Sequence, residues 1–106
     1  MKFLTAVAIW LTYGEVCGRA AEICVENATD VPRYFAVETR DGTRAASWLA
    51  ASARLRLPES GGPGGTVAAF EGPDSLEGCS RLVGPGGSDS LLAFANFDRC
   101  HWSSHD

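Results

Sequence analysis

The densest group of chemically capable side chains in this sequence lies at its end, Cys100-His101-Trp102-Ser103-Ser104-His105-Asp106. A thiolate, two imidazoles and a carboxylate are all metal ligands, and a helix here would set His101 and His105 on one face. Ser103-Ser104 between them is a poor helix former, and chain ends fray, which favours a cysteine followed by a tail. A copper site would need histidine and cysteine from separated loops, often with an axial methionine, and the only methionine is Met1. The expectation is no cofactor and no metal, with His101 and His105 as the alternative ligand pair.

Cross-linking is the second chemistry open to the cysteines. No Cys-x-x-Cys occurs, so a thiol oxidoreductase is disfavoured. Lys2 followed by the apolar run Phe3 to Leu11 reads as a signal peptide, since the run is too short to span a bilayer. Gly18-Arg19-Ala20 predicts cleavage before Ala21. Thr12-Tyr13-Gly14 offers a second junction, before Glu15, with a shorter polar segment ahead of it. Cys17 follows Val16 and Gly14, which is not a lipoprotein pattern. Cleavage before Ala21 leaves Cys24, Cys79 and Cys100, whereas the earlier junction keeps Cys17 as a fourth. Cys79 and Cys100 both fall at element edges and are the expected disulfide. Cys24 is the alternative partner, because it faces away from Ile23 and Val25 and can meet a segment strapped across that face. This organisation predicts a leader over 1–20, one β domain over 21–98 and a C-terminal tail over 99–106, in the periplasm or secreted.

Other chemistries lack their parts. Without the leader, 7 basic and 12 acidic residues remain, a net charge of −5, and every basic residue is Arg. That balance disfavours nucleic acid or an anionic membrane as partner. Two Gly-Pro-Gly-Gly loops, at 62–65 and 84–87, invite a phosphate reading, but a P-loop needs a lysine and an ensuing helix. There is no Gly-x-Ser-x-Gly, and paired carboxylates for sugar hydrolysis need a cleft that 86 residues hardly allow. The chain is expected not to be an enzyme. Asn27-Ala28-Thr29 matches a glycosylation sequon and is read as a turn cluster.

The elements follow from alternation. Strands are expected over 22–26, 33–39, 44–49, 53–57, 66–70, 80–83 and 90–97, and Asp74 with Glu77 predicts a capped helical turn near residues 74–79. The fold class is all-β, a small antiparallel sandwich or barrel of about seven short strands. Asp41-Gly42 between two alternating arms reads as a two-residue hairpin turn. It sets Phe35 opposite Trp48, Val37 opposite Ala46 and Thr39 opposite Arg44; a three-residue loop over 41–43 would pair Phe35 with Leu49. The two-residue register buries Phe35 and Trp48 and turns Tyr34 and Leu49 to the other face, as a candidate binding patch if that face is exposed.

The run Ile23-Cys24-Val25-Glu26-Asn27-Ala28-Thr29, followed by Phe35-Ala36-Val37 and Trp48, resembles small exported bacterial β-domain proteins of the periplasm over residues 22–49. That resemblance implies a periplasmic β domain and transfers no catalytic residue. The expected function is a non-catalytic interaction or accessory module with an unidentified protein partner, making contact through its glycine-rich loops and one hairpin face. The alternatives are a small metal- or redox-handling protein using the cysteines with His101 and His105, and an inhibitor presenting the loop Pro58 to Gly65.

Overall fold

A computed structural model describes residues 22–59 and 64–105 together with Cys17. The rest of the expected leader, the middle of the loop after Pro58 and Asp106 lie outside the described residues. Eight strands form: β1 (Glu22–Asn27), β2 (Arg33–Thr39), β3 (Arg44–Leu49), β4 (Arg54–Pro58), β5 (Gly65–Phe70), β6 (Gly78–Val83), β7 (Ser88–Ala93) and β8 (His101–Trp102), followed by a 3₁₀ turn at Ser103–His105. They make two four-stranded sheets, ordered β4-β1-β7-β8 (sheet A) and β3-β2-β5-β6 (sheet B). Pairing is antiparallel except between β1 and β7. The all-β sandwich read from the alternation is therefore the fold. No helix among the described residues occupies 74–79. A turn closed by Ser75 N–H on Gly72 O stands there, and β6 already begins at Gly78.

The core lies between the sheets. Ile23, Val25 and Leu57 from sheet A meet Phe35, Val37, Leu49 and Val67 from sheet B. On the outer side of sheet A the alternate residues form ion pairs along the β1/β4 ladder. Arg54 reaches Glu26 at 3.4 Å and Arg56 reaches Glu22 at 3.5 Å, which is how the strict Arg-Leu-Arg-Leu alternation of β4 is satisfied on both faces.

Asn27 ties the two sheets at one end. It is fully buried, its Nδ2 donating to Val31 O and Leu49 O at 2.9 Å while Oδ1 accepts from Thr29 N–H at 3.0 Å. The sequon is therefore a fastener, and its amide nitrogen is already engaged. At the other end Glu59 is buried as well, its carboxylate accepting from Gly64 N–H at 2.6 Å and Gly86 N–H at 3.1 Å. These glycines are the third residues of the two Gly-Pro-Gly-Gly loops, and both have positive φ, +99° and +66°. At 84–87, where Gly87 N–H bonds Gly84 O at 2.8 Å, proline followed by a left-handed glycine is the pattern of a type II turn. One carboxylate thus reads the same position of both loops.

The hairpin register differs from the expected one by one residue. Gly42 N–H bonds Thr39 O at 3.0 Å and Thr39 N–H bonds Thr43 O at 2.9 Å, so the loop is Arg40-Asp41-Gly42 with Gly42 alone at positive φ. A two-residue I′ turn would need positive φ at Asp41 too. Instead the Asp41 carboxylate accepts from the Thr39 hydroxyl and from Thr43 N–H, holding a three-residue loop. Tyr34 then pairs with Trp48 and Phe35 with Ser47. Leu49 turns inward and Trp48 outward, because a one-residue slip exchanges the faces of a strand.

The chain end adds a large aromatic ring to the core at the opposite edge of the sandwich from β3. His101 and Trp102 pair with β7 as β8, and Trp102 is 1% exposed against 53% for Trp48. The segment expected as a frayed tail is held by buried Asp89, whose carboxylate accepts from the Ser103 hydroxyl at 2.9 Å, Ser104 N–H at 3.2 Å and the Ser104 hydroxyl at 2.6 Å. The two serines that argued against a helix are the donors that dock the end.

Two measurements check this arrangement. Trp102→Ala is expected to lower the unfolding free energy by about 3–5 kcal/mol in urea titrations. Trp48→Ala, at a half-exposed site, is expected to lower it by about 1 kcal/mol or less. Asp41 gives a pH test. The Thr39 hydroxyl and the Thr43 amide hold its carboxyl below the ordinary 3.8. A carboxyl lowered by folding stabilises above its unfolded value, and the contribution disappears as pH falls through the folded value. The stability gap between the native chain and Asp41→Ala should be constant above about pH 5 and shrink below about pH 4. A gap that widened on acidification would contradict the loop geometry.

Candidate functional site

The outer face of sheet B carries the side chains that the core does not use, and the register sorts them into three rows. Across β3, β2, β5 and β6 the first row is Trp48, Tyr34, Phe70, Gly78. The second is Ala46, Ala36, Ala68, Ser80, and the third is Arg44, Glu38, Thr66, Leu82. An aromatic row and a polar row thus border a row of small residues. The shallow cavity between them measures about 220 Å³ and is lined by residues of all three rows. Ala36 and Ala68 form its floor and are buried although they face outward, because longer side chains stand on either side of them.

The aromatic row is held in place. Tyr34 and Trp48 meet edge to face with ring centroids 5.6 Å apart. Gly72, in the turn after β5, lies beside the far edge of the indole, where an added Cβ would sit 3.8 Å from Trp48 Cζ2. Gly78 ends the row without a side chain, since a Cβ there would come 2.3 Å from the Ala69 carbonyl oxygen and 2.5 Å from Phe70 Cδ1. Replacing that glycine would disturb the β5 backbone as well as the Phe70 ring. At the β6 edge, Ser80 N–H donates to Asp98 at 3.1 Å, docking the loop after β7 beside the trough. In that loop Phe97 and Asp98 have positive φ, +64° and +57°, and the Phe97 ring is 69% exposed.

Electrostatically the trough is balanced. Arg44 and Glu38 are cross-strand partners on its polar side, yet among the described residues neither is in an ion pair. A cation and an anion therefore both face the cavity with hydrogen-bonding capacity to offer, beside the hydroxyls of Thr66 and Ser80. A second, more open cavity of about 480 Å³ lies at the Asn27 end, where the Arg33 guanidinium carbon sits 4.8 Å from the Phe94 ring centroid.

The other expected residues fall as follows. Tyr34 is on the outer face, but Leu49 is in the core, so the expected patch is divided and Trp48 is the actual neighbour of Tyr34. The missing signal was the loop length, which Asp41-Gly42 alone does not specify. Cys79 and Cys100 are joined, with Cα atoms 6.0 Å apart and 21 residues of separation, a loop size for which the chain-entropy contribution is about 3 kcal/mol. Cys24 is bonded to Cys17 rather than to Cys100. Cys24 faces outward on β1 and is nonetheless 1% exposed, its sulfur bonded to Cys17. With Cys100 Sγ in a disulfide, the thiolate of the alternative metal set is gone; His101 is exposed on β8, and no group of three or more His, Cys, Asp or Glu is assembled among the described residues.

All four cysteines being paired, the Cys17–Cys24 bond survives export only if any leader is cut upstream of Cys17, as at the Gly14-Glu15 junction. Intact mass of the exported protein should show no alkylation before reduction and four adducts after it. A mature chain beginning at Ala21, with one thiol free, would refute the pairing. Two disulfides point to an oxidising, non-cytoplasmic location, and no helix among the described residues is long and apolar enough to cross a membrane. Compared with protein-family models, with curated proteins and with solved structures, the chain has no match.

Proposed function

We infer that this chain is a non-catalytic accessory module of the periplasm or extracellular space, exported by its N-terminal leader, which binds through the outer face of sheet B. The observation that carries the reading is the half-exposed Trp48, its ring set edge to face with Tyr34 in the row beside an alanine-floored trough. A large aromatic ring left in water is unfavourable unless it contacts something, and a ring already fixed in place loses little freedom when it does. Preorganisation on a rigid sheet favours binding over a surface that merely tolerates exposure. The disulfides and the buried Asn27, Glu59 and Asp89 brace the sheets behind the face, which suits a module that presents a fixed surface. The face combines apolar floor, aromatic border and a few convergent polar groups, the composition of a ligand site.

The reading is tested with a photo-crosslinking amino acid placed at position 48 or, as control, at Ser88 on the outer side of sheet A, in cells exporting the full chain. Adducts to cell-envelope or extracellular material are expected from position 48 and not from position 88. No adduct at position 48, or equal yields at the two positions, would reject the reading.

A further inference from the structure

Size and charge restrict what the trough can hold. Three inter-strand gaps of about 4.8 Å and two row spacings of about 7 Å make the patterned face roughly 200 Å². A stable contact between folded proteins covers about 800 Å² on each side. The face is therefore matched to a small or extended ligand. Its polar border carries one cation, Arg44, and one anion, Glu38, neither in an ion pair among the described residues. A net-anionic ligand would meet Glu38 and a net-cationic one Arg44, so charge complementarity selects a ligand of no net charge.

Polarity narrows the choice further. An extended peptide lying across the strands would set its N–H and C=O groups over Ala36 and Ala68. The sheet backbone below is already paired in the β2/β5 ladder, so those groups would lose water without gaining partners. A pyranose ring distributes its polarity differently, with C–H groups on its faces and hydroxyls around its rim. The C–H face can lie on the Trp48 ring or the alanine floor. The rim hydroxyls can both donate and accept, which matches the Glu38 carboxylate, the Arg44 guanidinium and the hydroxyls of Thr66 and Ser80. Because the small-residue row crosses all four strands, ending at Ser80, successive rings of a chain can follow it. We propose that the outer face of sheet B binds a neutral oligosaccharide chain, stacked on Trp48 and hydrogen-bonded along the Arg44–Glu38 border. This rests on the reading of that face as the binding surface.

The test is native affinity electrophoresis of the exported protein in gels containing dextran, a soluble β-glucan, galactomannan or, as a charged comparison, polygalacturonate. Tryptophan fluorescence titration with the polymer that retards migration gives the affinity. At least one neutral polymer should retard the protein. Trp48→Ala should weaken that binding at least tenfold, and Glu38→Ala severalfold, with urea unfolding showing both variants folded. Retardation by none of the neutral polymers, retardation by polygalacturonate alone, or binding that Trp48→Ala leaves intact would each overturn the proposal. The position-48 crosslinking separates the two levels. An adduct to a protein without retardation in any neutral polymer overturns the sugar assignment and leaves the binding face standing. Neither adduct nor retardation overturns both.

Discussion

One residue of register between β2 and β3 decides what this protein offers to its surroundings. Because the loop is Arg40-Asp41-Gly42, Tyr34 lies opposite Trp48. In the two-residue register Trp48 would share a face with Phe35 and point into the core, and Leu49 would point out. The aromatic row, the alanine trough and the polar border all depend on that choice, since side-chain faces alternate with a period of two. The Asp41 carboxylate, bonded to Thr39 and Thr43 across the loop, is the local interaction that holds it.

The rest of the fold is consistent with that register. A sandwich of this size needs large apolar side chains between its sheets, and with Trp48 outside, Trp102 supplies one. Trp102 is within reach because Cys100 is tied to Cys79 on β6 and because Asp89 binds Ser103 and Ser104 just beyond it. The chain end is thus part of the core. Buried polar groups are placed where segments converge: Asn27 at one end, Glu59 between the two glycine loops, and Asp89 under the last turn. Each is satisfied by hydrogen bonds, so each specifies geometry instead of weakening the interior.

This division of labour bears on function. The charged residues of sheet A pair with each other, Arg54 with Glu26 and Arg56 with Glu22, and Cys17 bonds to that side through Cys24. On sheet B the opposite charges Arg44 and Glu38 face each other across the strands without an ion pair among the described residues, beside an indole left half in water. The charges of one outer face are in ion pairs, whereas among the described residues Arg44 and Glu38 on the other are not. That asymmetry is the physical basis for assigning binding to sheet B.

Alternation by itself determined the all-β class and located seven of the strands, because a half-buried strand must alternate whatever it packs against. Cysteine positions at element edges were sufficient for Cys79–Cys100, a pairing between a strand's start and a segment that must return to it. What only the tertiary structure decided was which face of each strand is inside. Asp-Gly is compatible with more than one loop length, and nothing local to Tyr34, Trp48 or Leu49 distinguishes the registers. The same holds for the C-terminal end, where Ser103 and Ser104 read as disorder until buried Asp89 accepts their hydrogen bonds from fourteen and fifteen residues away. Burial of a carboxylate and its recruitment of distant donors are properties of the assembled sheets, so they leave no signal in the residues nearby.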